Sequence, residues 1–106
     1  MHAAVSTRRA AIAELCRRFH VRRLDVFGSA ARGIDFDLTR SDADFLIGFD
    51  ATVKPDIAAF IDMQEALEQV LGRHVDLVAR HTIEQSRNYL RRRAILQDAE
   101  PVYLAA

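Results

Sequence analysis

Three points along the chain carry side chains able to do chemistry: Gly28-Ser29, the pair Asp42 and Asp44, and Asp76. Gly28-Ser29 follows Leu24-Asp25-Val26-Phe27, a short run rich in strand formers. A glycine there lets backbone N–H groups approach an anion closely, a helix starting just afterwards points its positive end at the same place, and Ser29 adds a hydroxyl donor. Taken alone, such a pair is equally well explained as a turn. Asp42 and Asp44 stand two residues apart where the next strand begins, so both side chains leave one face with Cα atoms about 6.6 Å apart. Two carboxylates so placed can converge on a hard cation, and magnesium is usually held by one or two carboxylates together with substrate phosphates. An ordinary solvated strand end has the same pattern. Asp76 interrupts the apolar run Val75-Asp76-Leu77-Val78. If that run is buried, an unpaired carboxylate within it is costly or takes up a proton, and a bound metal removes the penalty. The alternative is an edge strand with Asp76 facing water.

The elements that must position these residues follow from periodicity. Ala4 to Phe19 places Val5, Ile12, Leu15, Cys16 and Phe19 on one helical face, with Ser6 or Thr7 as a cap. Leu24 to Phe27 predicts a buried strand running into the Gly28-Ser29 turn. Residues 30–41 predict a short helical turn and a loop. Ala43 to Phe49 alternates, with Ala43, Phe45, Ile47 and Phe49 on the core face and Asp44, Leu46 and Gly48 on the other. Pro55 and Asp56 suit a helix start. Ile57, Phe60, Ile61, Leu67, Val70 and Leu71 supply that helix's apolar face, and Gly72 its C-terminal cap. Val75 to Ala79 is a third strand. A last helix is expected over Ile83 to Gln97, with Ile83, Leu90, Ala94 and Ile95 inward. Pro101 ends it, and Val102-Tyr103-Leu104 adds an edge strand. The fold class is therefore α/β, with strands and helices interleaved.

Composition narrows the function further. The 106 residues and 12.0 kDa suit one domain spanning 1–106, without room for a second substrate-holding domain. Half the residues are hydrophobic and 28% charged, the balance of a globular chain. No apolar run approaches the roughly 20 residues that span a bilayer and no secretory signal stands at the N-terminus, so a cytoplasmic address without membrane contact is the expectation. Cys16 is the only cysteine, which rules out a metal site built on several thiolates. Fifteen basic residues balance 15 acidic ones, so direct nucleic-acid binding is not expected. The weak self-repulsion of a near-neutral molecule favours association with a partner or as a homodimer. His2 lies in a terminal tail, His20 ends a helix, and His74 and His81 flank a strand, so no histidine metal site is expected. Arg91-Arg92-Arg93, with Arg87 a turn earlier, is read as a solvated helix face.

In order, Gly28-Ser29-Ala30-Ala31-Arg32-Gly33, Ser41-Asp42-Ala43-Asp44 and Val75-Asp76-Leu77-Val78 resemble the minimal nucleotidyltransferases of the DNA polymerase beta superfamily. The resemblance covers most of the chain, from about Leu24 to the C-terminal helix. It implies the polymerase-beta-like nucleotidyltransferase fold, a small mixed sheet flanked by helices. Gly28 and Ser29 would then grip the outer phosphates of ATP, with Arg32 a further phosphate contact. Asp42, Asp44 and Asp76 would be the catalytic carboxylates and would hold magnesium, two ions in all. Ser41 is read as a local cap outside catalysis. Twelve residues, Ala30 through Ser41, separate the Gly-Ser pair from Asp42, slightly more than is usual in that family. The extra residues, within 34–38, are expected at the rim of the site, where they affect how the nucleotide is enclosed.

Stand-alone members this short are often antitoxins paired with an RNase-type toxin of the higher eukaryote and prokaryote nucleotide-binding (HEPN) class. Some transfer AMP from ATP to a tyrosine of that toxin. The resemblance thus implies an adenylyltransferase antitoxin whose partner supplies the acceptor hydroxyl. Two alternatives stay open: an antitoxin that neutralises by contact without catalysis, and a nucleotidyltransferase with a small-molecule acceptor.

Overall fold

The first expected helix is two helices. In the computed structural model, which describes residues 1–33, 37, 42–53 and 56–105, α1 spans Ala3–Ser6 and α2 spans Arg9–Arg18. The break falls at Thr7, whose hydroxyl donates to the Ala3 carbonyl at 2.6 Å instead of capping a helix start. A threonine hydroxyl competing for a backbone carbonyl in this way disfavours uninterrupted helix. α1 is capped instead by His2, whose Nδ1 accepts from the Ala4 amide at 2.9 Å. After α2, His20 adopts a left-handed φ of 58° and turns the chain directly into the first strand.

That strand, β1, runs Val21–Phe27, starting earlier than the local composition predicts because neighbours on both sides satisfy its backbone. A short helix α3, Ser29–Arg32, follows at once. β2 is Ala43–Phe49 and β3 is Val75–Ala79, both as expected, with α4, Ile57–Leu71, between them. The Asp56 carboxylate accepts from the Ala59 amide at 2.8 Å to cap α4, and Gly72 closes it with φ 66° and an N–H that donates to the Glu68 carbonyl. Pro55, Ser41 and the rim segment within 34–38 lie outside the described residues, Asp37 excepted.

The sheet order is β3-β2-β1-β4, with β4 covering Glu100–Leu104. β1 is antiparallel to β2 and β4, whereas β2 and β3 are parallel and joined through α4. Parallel neighbours require such a crossover. Pro101 lies inside β4, not before it, and an edge strand tolerates a residue without an N–H. The main core packs Leu24, Val26, Phe45 and Ile47 from the sheet against Ile12 and Cys16 of α2 and Met63 and Leu67 of α4.

The expected apolar face of α4 is rotated. Ile57 and Ile61 are exposed, Ile57 to 79%, while Met63 is fully buried. Docking against α2 and β3 selects the Met63–Leu67 stripe, which periodicity alone could not separate from the neighbouring isoleucines. Leu46, assigned by alternation to the outer face, is also buried, because both sheet faces are covered. The last expected helix is likewise divided, into α5, Arg80–Glu84, and α6, Tyr89–Asp98, with Asn88 capping the second. Ile83 on α5 is buried, but Leu90 is 75% exposed and Ala94 is also exposed, and no residue of α6 is buried. Arg91 and Arg93 are solvated, while Arg92 lies over the Tyr89 ring at 5.5 Å.

Candidate active site

β2 and β3 begin at the end of the sheet where β1 stops, and this brings the three motifs together. Phe27 pairs with Asp44, and Asp44 pairs with Asp76, so one row across three strands ends at two adjacent carboxylates. Partial burial, then the charge and hydrogen-bonding pull of the neighbouring Asp76 carboxyl, then Asp42, push the Asp44 pKa up to about 6, against the opposing pull of Arg32. Such a carboxylate is held charged at neutral pH against the preference of its surroundings, the electrostatic condition in which a cation is welcome.

Gly28 forms the wall beside Asp44. Its φ of 69° and ψ of −150° belong to a region essentially reserved for glycine. A Cβ built there would lie 2.8 Å from Asp44 Oδ2. The turn leads into α3, where buried Ala30 and Ala31 let the short helix pack closely on β1 and β2. The Ala30 carbonyl also accepts from the His2 amide at 2.7 Å, tying the beginning of the chain to this turn. Gly28→Ala is expected to lower nucleotide transfer about 100-fold, since relieving the clash must displace Asp44 and the strained backbone costs of order 1–3 kcal/mol. Steady-state kinetics on protein shown folded by circular dichroism measures this.

Asp76 departs from expectation in its surroundings. Its side chain is 53% exposed, because β3 is an edge strand and only its alternate residues Val75 and Leu77 are buried. The apolar run therefore marked one covered face, with Asp76 on the other. The start of β3 is held by α4: Gln64 donates to the Val75 carbonyl at 3.0 Å, and Glu68 accepts from the Val75 amide at 3.1 Å. These two side chains replace the missing neighbour strand and set the depth of Asp76.

Asp42 stands just before β2 and is exposed. His74, which local sequence did not connect with any site, lies between it and Asp76. Its Nδ1 is 3.3 Å from Asp42 Oδ2 and 3.9 Å from Asp76 Oδ1. One donor atom from each of Asp42, His74 and Asp76 falls within 4.8 Å of the others. The available signal was the backbone bond from the Ala43 amide to the His74 carbonyl, a consequence of parallel pairing that only the sheet topology discloses. Arg32 is oriented onto Asp98 of α6, with which it forms an ion pair, while its charge still acts on Asp44.

Two rows further from this end, on the same face, Asp25 is fully buried. Arg23 grips both of its oxygens, Nε at 2.8 Å and a terminal nitrogen at 3.1 Å, and Arg80 of α5 reaches it at 2.7 Å. An open apolar cavity of about 400 Å³ lies at the opposite end of the sheet, lined by Phe49, Val53, Ile57, Phe60 and His81 among others, away from the carboxylates.

The nucleotidyltransferase domain family matches residues 8–101. The chain belongs to that family. Over 71 residues the nucleotidyltransferase is 41% identical to protein adenylyltransferase MntA of Thermococcus cleftensis, an alignment covering 67% of this chain and 68% of that protein. A solved structure described as a minimal nucleotidyltransferase superposes with a TM-score of 0.69 at 34% identity, over 90% of this chain and 89% of the other. A complex of a tri-AMPylated Shewanella oneidensis HEPN toxin with its MNT antitoxin shares the fold, with a TM-score of 0.60 and 18% identity over 93% and 71% of the two chains. The mixed sheet flanked by helices is the fold of these nucleotidyltransferases, and the chain is an enzyme of this kind. Enzymes of the family take a nucleoside triphosphate and a divalent metal. Carboxylate oxygens of Asp42 and Asp76 and a His74 ring nitrogen, all within 4.8 Å of one another, fit such a cation, whose cis ligands lie about 3.0 Å apart at metal–ligand distances near 2.1 Å. Among the described residues, no helix is long and apolar enough to cross a membrane.

Proposed function

We propose that this nucleotidyltransferase, a single domain over residues 1–106, is a protein adenylyltransferase that acts as an antitoxin in the cytoplasm. It transfers AMP from magnesium-bound ATP to a hydroxyl of a HEPN-type RNase toxin and so neutralises it. The observation that carries this reading is the pairing of Asp44 with Asp76 across two parallel strands, with Asp44 directly against the bare Cα of Gly28. Relatives named protein adenylyltransferase favour AMP as the transferred group, and the fold shared with antitoxin complexes favours a HEPN partner.

In this reading Asp42, Asp44 and Asp76 hold two divalent ions, and Gly28 and Ser29 receive the outer phosphates at the turn. When bound, the cations neutralise the phosphates and lower the pKa of the acceptor hydroxyl. Gly28 admits the triphosphate to a distance that a Cβ would forbid. Asp44, flanked by Asp76 and Gly28, orients the triphosphate, and Asp76 faces the side from which the acceptor arrives. Arg32 adds positive charge near the leaving pyrophosphate if the nucleotide draws it from Asp98. The exposure of Asp42 and Asp76 leaves that side open to a macromolecular acceptor.

Incubation with α-labelled ATP, magnesium and the product of the adjacent gene tests the proposal. Label on that protein is expected, and its absence at any nucleotide concentration overturns the reading. Neutralisation that survives Asp42→Ala with Asp44→Ala, without AMP transfer, supports antitoxin action by contact instead.

A further inference from the structure

Resting on the reading of Asp42 and Asp76 as cation ligands, we propose that His74 supplies a nitrogen donor to the same cation and raises the site's affinity for manganese relative to magnesium. The side chain is built into the cluster from both ring edges. Nδ1 lies 3.3 and 3.9 Å from the two carboxylates, and Nε2 is on the side of Glu68, 3.9 Å from its Oε2 and beyond hydrogen-bond length. A metal-ligating imidazole characteristically turns its second nitrogen toward a carboxylate, which fixes the tautomer and raises the basicity of the ligating nitrogen. Glu68 is itself fixed by the Val75 amide, so the outer carboxylate is anchored to the strand that carries Asp76.

The donor separations permit a shared ion. Octahedral ligands about 2.1 Å from a metal lie about 3.0 Å apart when cis and about 4.2 Å when trans, and the three donor atoms sit close to that range. Magnesium is hard, selects oxygen and dehydrates reluctantly; manganese also favours oxygen, but as a first-row transition ion it takes a nitrogen donor more readily than magnesium does. Two carboxylates alone would leave magnesium the natural occupant. Adding the His74 nitrogen shifts the balance toward a transition cation.

The experiment uses the intact protein, manganese as the probe, and pulsed electron paramagnetic resonance. Nitrogen modulation from a directly bound imidazole is expected in the wild type, altered by [15N]histidine labelling and abolished in His74→Gln. Titration should show His74→Gln weakening manganese binding about tenfold or more, with magnesium affinity changed less than about threefold. Labelling needs no substitution, so a folding defect in the variant cannot decide the result. Manganese bound in an Asp76-dependent manner without nitrogen modulation overturns the role of His74 and leaves the cation site standing. Manganese binding that is absent, or indifferent to Asp76→Asn, overturns the cation site itself and this inference with it.

Discussion

Asp44→Asn is expected to reduce AMP transfer by roughly 10³-fold and, in the same protein, to raise metal-free stability at pH 7.5 by about 1–2 kcal/mol. The first effect follows from the proposed role of Asp44 as a cation ligand, whose loss forfeits several kcal/mol of transition-state charge stabilisation, at about 1.4 kcal/mol per tenfold in rate. The second follows from the crowded carboxylates. Folding raises the Asp44 pKa from 3.8 to about 6. A group with a raised acid pKa binds its proton more tightly in the folded state, so its contribution is most favourable below about pH 4. That contribution is lost as the pH climbs through about 6. At about 1.4 kcal/mol per pH unit, and discounted for a side chain only half buried, the penalty at neutral pH is about 1–2 kcal/mol. The stability gap between variant and wild type should therefore close as the pH falls toward 4. Saturating divalent cation should narrow it at pH 7.5 by stabilising the wild type more than the variant, which keeps Asp42, His74 and Asp76. Chemical denaturation with and without chelator measures both. A variant less stable than the wild type at pH 7.5 in chelator would mean that the carboxylates do not repel one another.

The second large effect is structural. Asp25→Ala is expected to cost about 3 kcal/mol, or roughly 12–20 °C in Tm for a domain of this size. Asp25 is fully buried and neutralises Arg23 and Arg80 from one carboxylate. Removing the shared anion leaves two guanidinium groups facing each other beneath α5. Both arginines keep some solvent contact, which sets the expected loss at the lower end of the range for breaking a buried pair. Arg80→Met should cost less, about 1 kcal/mol, because Arg23 still holds both oxygens. Transfer per folded molecule should change little in either variant, since Asp25 lies two rows behind the carboxylates. Thermal melts paired with active-site titration separate the two readouts. Equal losses from Asp25→Ala and Arg80→Met would show that the carboxylate does not hold the two cations jointly.

Local sequence determined the pieces that depend on neighbours a few residues away. The strand at Ala43 to Phe49, the caps at Asp56 and Gly72, the strand at Val75 to Ala79 and the Gly28-Ser29 turn all have local causes, and the structure has them at those positions. The order of the three motifs also sufficed for the family. Periodicity did not reveal that Met63 rather than Ile57 and Ile61 faces inward, that Asp76 is half exposed, or that Leu90 and Ala94 face solvent. Those depend on which surfaces meet.

Tertiary structure alone decided the composition of the site. Residues 44 and 76 become neighbours only because α4 returns the chain parallel to β2, and the same pairing carries His74 to Asp42. Arg80 finds Asp25 across 55 residues for a similar reason. A side chain's type and its nearest neighbours set what it can do chemically, and these can be read along the chain. Its partners, burial and charge environment are set by strand register and helix docking, which short-range patterns do not encode.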